Sequence, residues 1–143
     1  MNILILNGPN LNMLGIREPE VYGKESLEDI RTNIQELADR KAFGFEFFQS
    51  NAEHEIVEKI QSALGKFDSI VFNPGAFTHT SVAIRDALLA VSIPFYEVHI
   101  SNVYAREVFR HHSMISSKCI GTISGFGLLS YQLGVEALLN RNV

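Results

Sequence analysis

Short apolar runs and amphipathic segments alternate along the chain. The apolar runs are four to six residues long and are bounded by turn residues, which is typical of buried strands. The amphipathic segments repeat apolar residues every three or four positions, which predicts helices with one buried face. The predicted strands are 3–6, 43–48, 69–72, 95–98 and 118–123; the predicted helices are 26–40, 53–64, 79–90 and 128–139, with a short helical turn within 104–112.

Strands that alternate with helices predict a parallel sheet covered on both faces. Five strands in a chain of 143 residues fit an α/β protein with a flavodoxin-like three-layer sandwich and the strand order 2-1-3-4-5. Internal repeats, low-complexity segments and linkers are all lacking in the sequence. We therefore expect one domain spanning residues 1–143.

A long polar segment, residues 7–23, separates the first predicted strand from the first predicted helix. Loops longer than about 12 residues are uncommon in compact domains and are usually functional or disordered. This one carries an arginine, Arg17, a tyrosine, Tyr22, and three asparagines, none of which disorder would require. We interpret the segment as an active-site loop, part of which serves as a lid.

Polar side chains follow several of the predicted strands. In open α/β sheets ligands bind beyond the carboxyl ends of the strands at the switch point of strand order, which here lies between strands one and three. Asn10 and Asn73 would face each other there, although either could simply form a turn. His99 lies two residues after Glu97 on the same side of a strand, so the carboxylate could orient the ring for proton transfer. His79 opens the third predicted helix and either caps it or contributes to the site.

Arg17 and Tyr22 form a candidate acid–base pair. A tyrosine has an ordinary pKa of about 10, so acting as a base near neutral pH requires a shift worth about 4 kcal/mol. One cation about 4 Å away at an effective dielectric constant of about 20 supplies about that amount, although burial opposes it. We hypothesise that Arg17 generates a Tyr22 phenolate when the loop closes.

Composition excludes several classes of function. The net charge of -4 argues against general nucleic-acid binding. No apolar run approaches the roughly 18 residues of a membrane span. The single cysteine, Cys119, permits no internal disulfide and fits a cytoplasmic location. The sequence contains no metal-ligand spacing, phosphate-binding loop or nucleophile elbow, so neither a metal nor an organic cofactor is expected.

Four segments carry a family resemblance. Residues 7–23, with the pattern Asn-Gly-Pro-Asn-Leu-Asn-x-Leu-Gly-x-Arg-Glu-Pro-x-x-Tyr-Gly, resemble the N-terminal signature of type II 3-dehydroquinate dehydratases. The other segments resemble further motifs of that family, in order and at the family's spacing: 73–81; 97–102 together with Arg106, 109–111 and Ser113; and 124–127. The resemblance covers essentially the whole chain.

The resemblance implies an activity and a set of catalytic residues. Members dehydrate 3-dehydroquinate to 3-dehydroshikimate by anti elimination through an enolate, without metal or organic cofactor. Tyr22 would remove the C2 proton beside Arg17, and Asn10 would hold a water at the enolate oxygen. His99 would protonate the departing C1 hydroxyl, with Glu97 orienting its ring. The reaction belongs to the shikimate pathway of aromatic amino acid biosynthesis, although the sequence leaves quinate breakdown open.

The resemblance also implies a substrate-binding set. Asn73 and His79 would hold ring hydroxyls. The backbone amides of Ile100 and Ser101, with the Ser101 hydroxyl and Asn73, would hold the substrate carboxylate. Arg110 would bind the region of the C4 hydroxyl.

One further residue, Asp86, would reach the site from a neighbouring subunit. This implies a trimer-based homo-oligomer, typically a dodecamer.

Two alternatives differ from this interpretation. A sister class of dehydratases uses a lysine Schiff base on a larger barrel, but the lysines here resemble surface residues and the chain is too short. A flavodoxin-type module that binds FMN or a nucleotide without catalysis would not need the Arg-Tyr loop.

Overall fold

A computed structural model of the chain describes residues 1–16, 18, 20 and 24–141. Nine regular elements follow one another in these residues: β1 (Asn2–Asn7), α1 (Leu27–Lys41), β2 (Gly44–Gln49), α2 (Glu53–Ser62), β3 (Ser69–Asn73), α3 (Val82–Val91), β4 (Phe95–His99), β5 (Gly121–Ser124) and α4 (Leu129–Leu139). Short 3-10 turns lie between several of them. None of the helices in the described ranges is long and apolar enough to cross a membrane.

The five strands form one parallel sheet in the order β2-β1-β3-β4-β5, which confirms the predicted topology. The apolar run of β1 is buried on both faces because successive side chains point to opposite sides. Ile3 and Ile5 belong to a cluster with α1 and α4, whereas Leu4 and Leu6 belong to a second cluster with α2 and α3. The sheet is therefore the middle of three layers, as the flavodoxin-like prediction requires.

The start of α1 follows the expected capping chemistry. The Ser26 hydroxyl accepts a hydrogen bond from the Asp29 amide at 3.3 Å, and the Asp29 carboxylate accepts one from the Ser26 amide at 2.7 Å. These bonds satisfy amide donors that the first helical turn leaves without intrahelical partners. The predicted helix start is therefore confirmed.

Two predicted boundaries were wrong. Helix α3 begins at Val82 instead of at His79, because Gly75–His79 form a 3-10 turn and the Ser81 hydroxyl accepts the Ile84 amide at 3.0 Å. His79 thus ends a turn and does not cap the helix. Strand β5 begins three residues later than predicted, at Gly121, because Ser116–Lys118 form another 3-10 turn.

Close contact between two loops shapes the edge of the sheet where the strand order reverses. The Gly8 amide, just after β1, donates to the Asn73 carbonyl at the end of β3 at 2.8 Å. A Cβ atom at Gly8 would lie 2.2 Å from the Pro74 carbonyl oxygen, so only glycine permits this approach. Asn7 and Asn73 are directly paired in the sheet register. The loops after β1 and β3 therefore meet at one point.

Candidate active site

A cavity opens beyond the carboxyl ends of β1, β3 and β4, at the predicted switch point. Seven of the residues predicted for the site line it. Of the other four, Glu97 lies behind His99, Asp86 lies elsewhere on the chain, and Arg17 and Tyr22 lie outside the described residues. The lining consists of Pro9, Asn10, Leu11, Leu14, Asn73, Gly75, Ala76, His79, His99, Ile100, Ser101, Val103, Arg106 and Arg110.

His99 and Glu97 form a hydrogen-bonded pair at the end of β4. The ring Nε2 of His99 lies 2.7 Å from Oε1 of Glu97, and the Glu97 side chain is only 2% exposed. Because Nε2 is taken by the carboxylate, Nδ1 is the ring nitrogen left to exchange a proton with a ligand. The pair can therefore hold and deliver a proton at the cavity wall.

Two hydroxyl groups support the Glu97 carboxylate from behind. The Thr78 hydroxyl donates to Oε1 at 2.5 Å, and the Ser113 hydroxyl lies 3.1 Å from each carboxylate oxygen. Ser113 is itself anchored by the amides of Ile115 and Ser116. A buried carboxylate needs such donors to offset the loss of water. Neither Thr78 nor Ser113 is a predicted site residue, although both lie in the segments that carry the resemblance.

His79 presents a different kind of ring to the cavity. Its Nδ1 donates to the His112 carbonyl at 2.7 Å, so in the neutral ring Nε2 remains an acceptor. Burial lowers the pKa of His79, and the nearby His99 and Arg110 lower it further. His79 is therefore suited to accept a hydrogen bond from a ligand hydroxyl.

The two asparagines of the cavity owe their positions to the loops. Asn10 adopts a left-handed backbone with a φ of 66°, which asparagine tolerates better than most residues. The backbone amide of Asn10 donates a hydrogen bond to Oδ1 of Asn51 at 3.0 Å. Asn73 is 2% exposed, and its Oδ1 accepts the Gly75 amide at 3.1 Å. Both amide side chains therefore border the cavity from fixed backbone positions.

Arg110 contributes a positive charge from the segment between β4 and β5. Its Nε donates to the Glu107 carboxylate at 2.6 Å, and its guanidinium lies 5.0 Å from the centre of the Phe109 ring. The pKa of Glu107 is lowered because its carboxylate accepts hydrogen bonds from the Glu107 backbone amide and from the Arg110 side chain. The terminal nitrogens of the guanidinium can donate to an anionic or hydroxyl-bearing ligand. Arg106 adds a second positive charge to the lining.

Asp86 lies on the exposed face of α3, away from the cavity of its own chain. Within the described part of the chain, no group of three or more His, Cys, Asp or Glu side chains is arranged to hold a metal ion. The fold and the cavity together define a flavodoxin-like α/β protein with a hydrogen-bonded His–Glu pair in a cavity at the switch point of its sheet.

Comparison with known proteins gives a consistent assignment. The family model for dehydroquinase class II matches residues 1–139. A 3-dehydroquinate dehydratase of Hydrogenovibrio crunogenus is 56% identical over 140 residues, covering 98% of this chain and 97% of the relative. A catabolic 3-dehydroquinase of Penicillium rubens is 56% identical over 135 residues, covering 94% of this chain and 87% of the relative. The chain therefore belongs to the class II dehydroquinase family.

A solved structure agrees with this assignment. The crystal structure of the type II dehydroquinase from Butyrivibrio crossotus matches with a TM-score of 0.95 at 50% sequence identity, covering 99% of this chain and 98% of that one. Membership of an enzyme family argues against the alternative of a flavodoxin-type binding module without catalysis.

Proposed function

We propose that this chain converts 3-dehydroquinate to 3-dehydroshikimate and water by anti elimination through an enolate. The observation that carries the proposal is the 2.7 Å hydrogen bond between Glu97 and His99 at the wall of a cavity that five of the six predicted substrate-binding residues also line. Membership of the class II dehydroquinase family supports the same reaction.

The first step is removal of the C2 proton, which the adjacent C3 ketone acidifies. Tyr22 takes this proton and Arg17 stabilises its phenolate; both assignments rest on the resemblance and on the charge argument, since both residues lie outside the described residues. The electron pair of the C2–H bond moves onto the ketone oxygen and forms an enolate. A water held by Asn10 donates to that oxygen, which lowers the energy of the developing charge.

The second step breaks the bond between C1 and its hydroxyl oxygen. Hydroxide leaves poorly, so Nδ1 of His99 donates a proton and the group departs as water. The enolate electrons reform the ketone and create the double bond between C1 and C2. Glu97 holds the His99 ring through Nε2, with Thr78 and Ser113 fixing the carboxylate in turn.

Binding of the substrate uses other residues of the cavity lining. Neutral His79 accepts a hydrogen bond from a ring hydroxyl, the Asn73 amide accepts or donates one, and Arg110 reaches the C4 hydroxyl region. The substrate carboxylate lies against the amides of Ile100 and Ser101, where the positive charge of the lining attracts it.

A neighbouring subunit completes the site in this proposal. Asp86 extends from α3 of one chain toward the cavity of another in a trimer-based assembly, a dodecamer being the full form. Its exposure on the outer face of α3 supports this role, because its own cavity does not include it. We also propose a cytoplasmic location, on the ground that the single cysteine allows no internal disulfide.

Ultraviolet absorbance after mixing the protein with 3-dehydroquinate tests the reaction directly. The product contains a conjugated enone and the substrate does not, so the absorbance should rise. His99→Ala and Tyr22→Phe should each lower kcat by about 10²-fold or more, since each removes a positioned acid or base. His54→Ala, which alters an exposed histidine on α2, is the matched control and should keep the full rate.

Two results would contradict the proposal. If folded wild-type protein gives no rise in absorbance, the proposed reaction is refuted. If the absorbance rises at the full rate in His99→Ala, the assignment of His99 as the acid is refuted, but the reaction itself is not.

A further inference from the structure

A buried tyrosine lies beneath the cavity and has no part in the mechanism above. Tyr131, on α4, is 0% exposed. Its hydroxyl donates to Oδ1 of Asn7 at 2.6 Å and accepts from Nδ2 of Asn73 at 2.8 Å. Tyr131 therefore connects the ends of two neighbouring strands, one of which carries a predicted substrate-binding residue.

The hydrogen bonds of this network run in one direction. Nδ2 of Asn7 donates to the Phe48 carbonyl at 3.1 Å, so the oxygen of the Asn7 amide must face Tyr131. The phenol proton therefore goes to Asn7, and the phenol oxygen is left to accept from Asn73. On its other side, Oδ1 of Asn73 accepts the Gly75 amide at 3.1 Å. If the Asn73 side-chain amide were reversed, its NH₂ group would face the N–H of Gly75 and its oxygen would face the Tyr131 oxygen, so neither hydrogen bond could form.

We propose that Tyr131 is a positioning residue for substrate binding, which sets the orientation of the Asn73 amide at the cavity wall. With one N–H donated to Tyr131 and one oxygen lone pair occupied by Gly75, Asn73 presents its remaining N–H and lone pair in a fixed arrangement. The proposal rests on the proposed function, because the ligand that would form hydrogen bonds with the Asn73 amide is 3-dehydroquinate.

The backbone explains how one hydroxyl reaches both asparagines. Asn7 and Asn73 are register partners on adjacent strands, so their side chains emerge side by side on the same face of the sheet. On α4, Gly134 lies one turn after Tyr131, and a Cβ atom there would meet Val71 and Val98 side chains at 3.2 Å. The missing side chain lets the helix approach the sheet closely enough for Tyr131 to reach it.

The network keeps its form across the pH range of the reaction. Burial raises the pKa of Tyr131 above its ordinary value, so the phenol retains the proton that it donates to Asn7. Since Asn7 and Asn73 do not titrate, the orientation of the Asn73 amide should not vary with pH.

Steady-state kinetics of Tyr131→Phe tests the inference, because this change removes only the hydroxyl. We expect KM for 3-dehydroquinate to rise roughly tenfold, the value of one hydrogen bond, while kcat changes less than about threefold. Tyr96→Phe is the matched control, since Tyr96 packs against the same apolar cluster but lies outside the cavity lining. Its KM should equal that of the wild type.

A double-mutant cycle separates positioning from a general loss of packing. In an Asn73→Ala background, Tyr131→Phe should produce little further rise in KM, since the amide that it orients is gone. Equal effects of Tyr131→Phe with and without Asn73 would overturn the inference, as would an unchanged KM in folded Tyr131→Phe. If Tyr131→Phe does not fold, Asn7→Ala decides by the same criterion, because it removes the acceptor that fixes the phenol proton.

Failure of this inference and failure of the proposed function give different results. Wild-type protein without dehydratase activity would refute the function before any variant is made. Wild-type protein with activity, together with an unchanged KM in Tyr131→Phe, would refute the role of Tyr131 alone.

Discussion

At the scale of single residues, the two histidines of the cavity differ in the partner that each ring contacts. His99 faces the Glu97 carboxylate, whereas His79 faces a backbone carbonyl. A negatively charged carboxylate stabilises a ring that carries an added proton, whereas a neutral carbonyl only accepts a hydrogen bond from the ring N–H. This difference is the structural basis for assigning proton transfer to His99 and hydroxyl binding to His79.

The lowered pKa of His79 predicts a pH effect on stability. The unfolded ring has a pKa near 6.5 and the folded ring a lower one, so below pH 6.5 the unfolded state binds more protons. The stability that neutral His79 contributes is thus fully present above pH 6.5 and is lost as the pH falls through the folded pKa. The effect is small because solvent screens the half-buried ring.

Urea unfolding of wild type and His79→Gln between pH 5 and 8 measures this contribution. The difference in unfolding free energy between the two proteins should shrink as the pH falls, because only the wild type loses the contribution. His54→Gln, on the exposed face of α2, serves as the control. A difference that grows toward low pH would show that the folded protein favours the charged ring.

At the scale of elements, the predictable contacts are those set by local geometry. The pairing of Glu97 with His99 follows from their separation of two residues on one strand, which the sequence pattern already shows. The capping of α1 by Ser26 is local in the same way. The start of α3 was predicted less well, since His79 belongs to a 3-10 turn and Ser81 supplies the helix cap.

Contacts between distant elements could not be predicted from the pattern. Thr78 and Ser113 lie 19 and 16 residues from Glu97 in sequence, and Tyr131 lies 124 residues from Asn7. Hydroxyl side chains are common on turns and helices, so nothing local marks these as partners of a buried carboxylate or amide. Their roles become visible only when the packed elements are brought together.

Because Thr78 and Ser113 both contact the Glu97 carboxylate, we expect Thr78→Val to lower stability and activity. This substitution keeps the shape of the side chain but removes the donor to Oε1. We expect the free energy of unfolding to fall by about 1–3 kcal/mol, because a buried acceptor loses a partner. We also expect kcat to fall roughly tenfold with little change in KM, since Glu97 acts on the leaving group through His99.

Denaturant unfolding and absorbance kinetics measure both quantities on the same preparation. Thr80→Val, an exposed threonine two residues away, should leave both unchanged. A folded Thr78→Val variant with the wild-type kcat would show that Ser113 alone suffices to hold the carboxylate.

At the scale of the whole molecule, the outer face of α3 is the surface on which the proposed assembly depends. Val82, Asp86 and Leu89 are spaced so that they lie along one side of the helix, and all three are exposed. Val82 is 51% and Leu89 45% exposed, whereas Ile84 and Leu88 are buried against the sheet. An acid between two exposed apolar side chains fits a surface that a second copy covers.

The proposed crossing of Asp86 into a neighbouring site therefore predicts a defect that a second chain can repair. Asp86→Ala should raise KM by about tenfold or more through loss of a charged hydrogen bond, or reduce the size of the assembly on sedimentation. Glu36→Ala, an exposed acid on α1, should change neither. Co-refolding Asp86→Ala with the inactive His99→Ala chain should restore sites of low KM, because a cavity with intact His99 then receives Asp86 from its neighbour. If the mixture showed only the high KM of Asp86→Ala while hybrid assemblies were present, Asp86 would not act across the interface, and its proposed place in the site would be withdrawn.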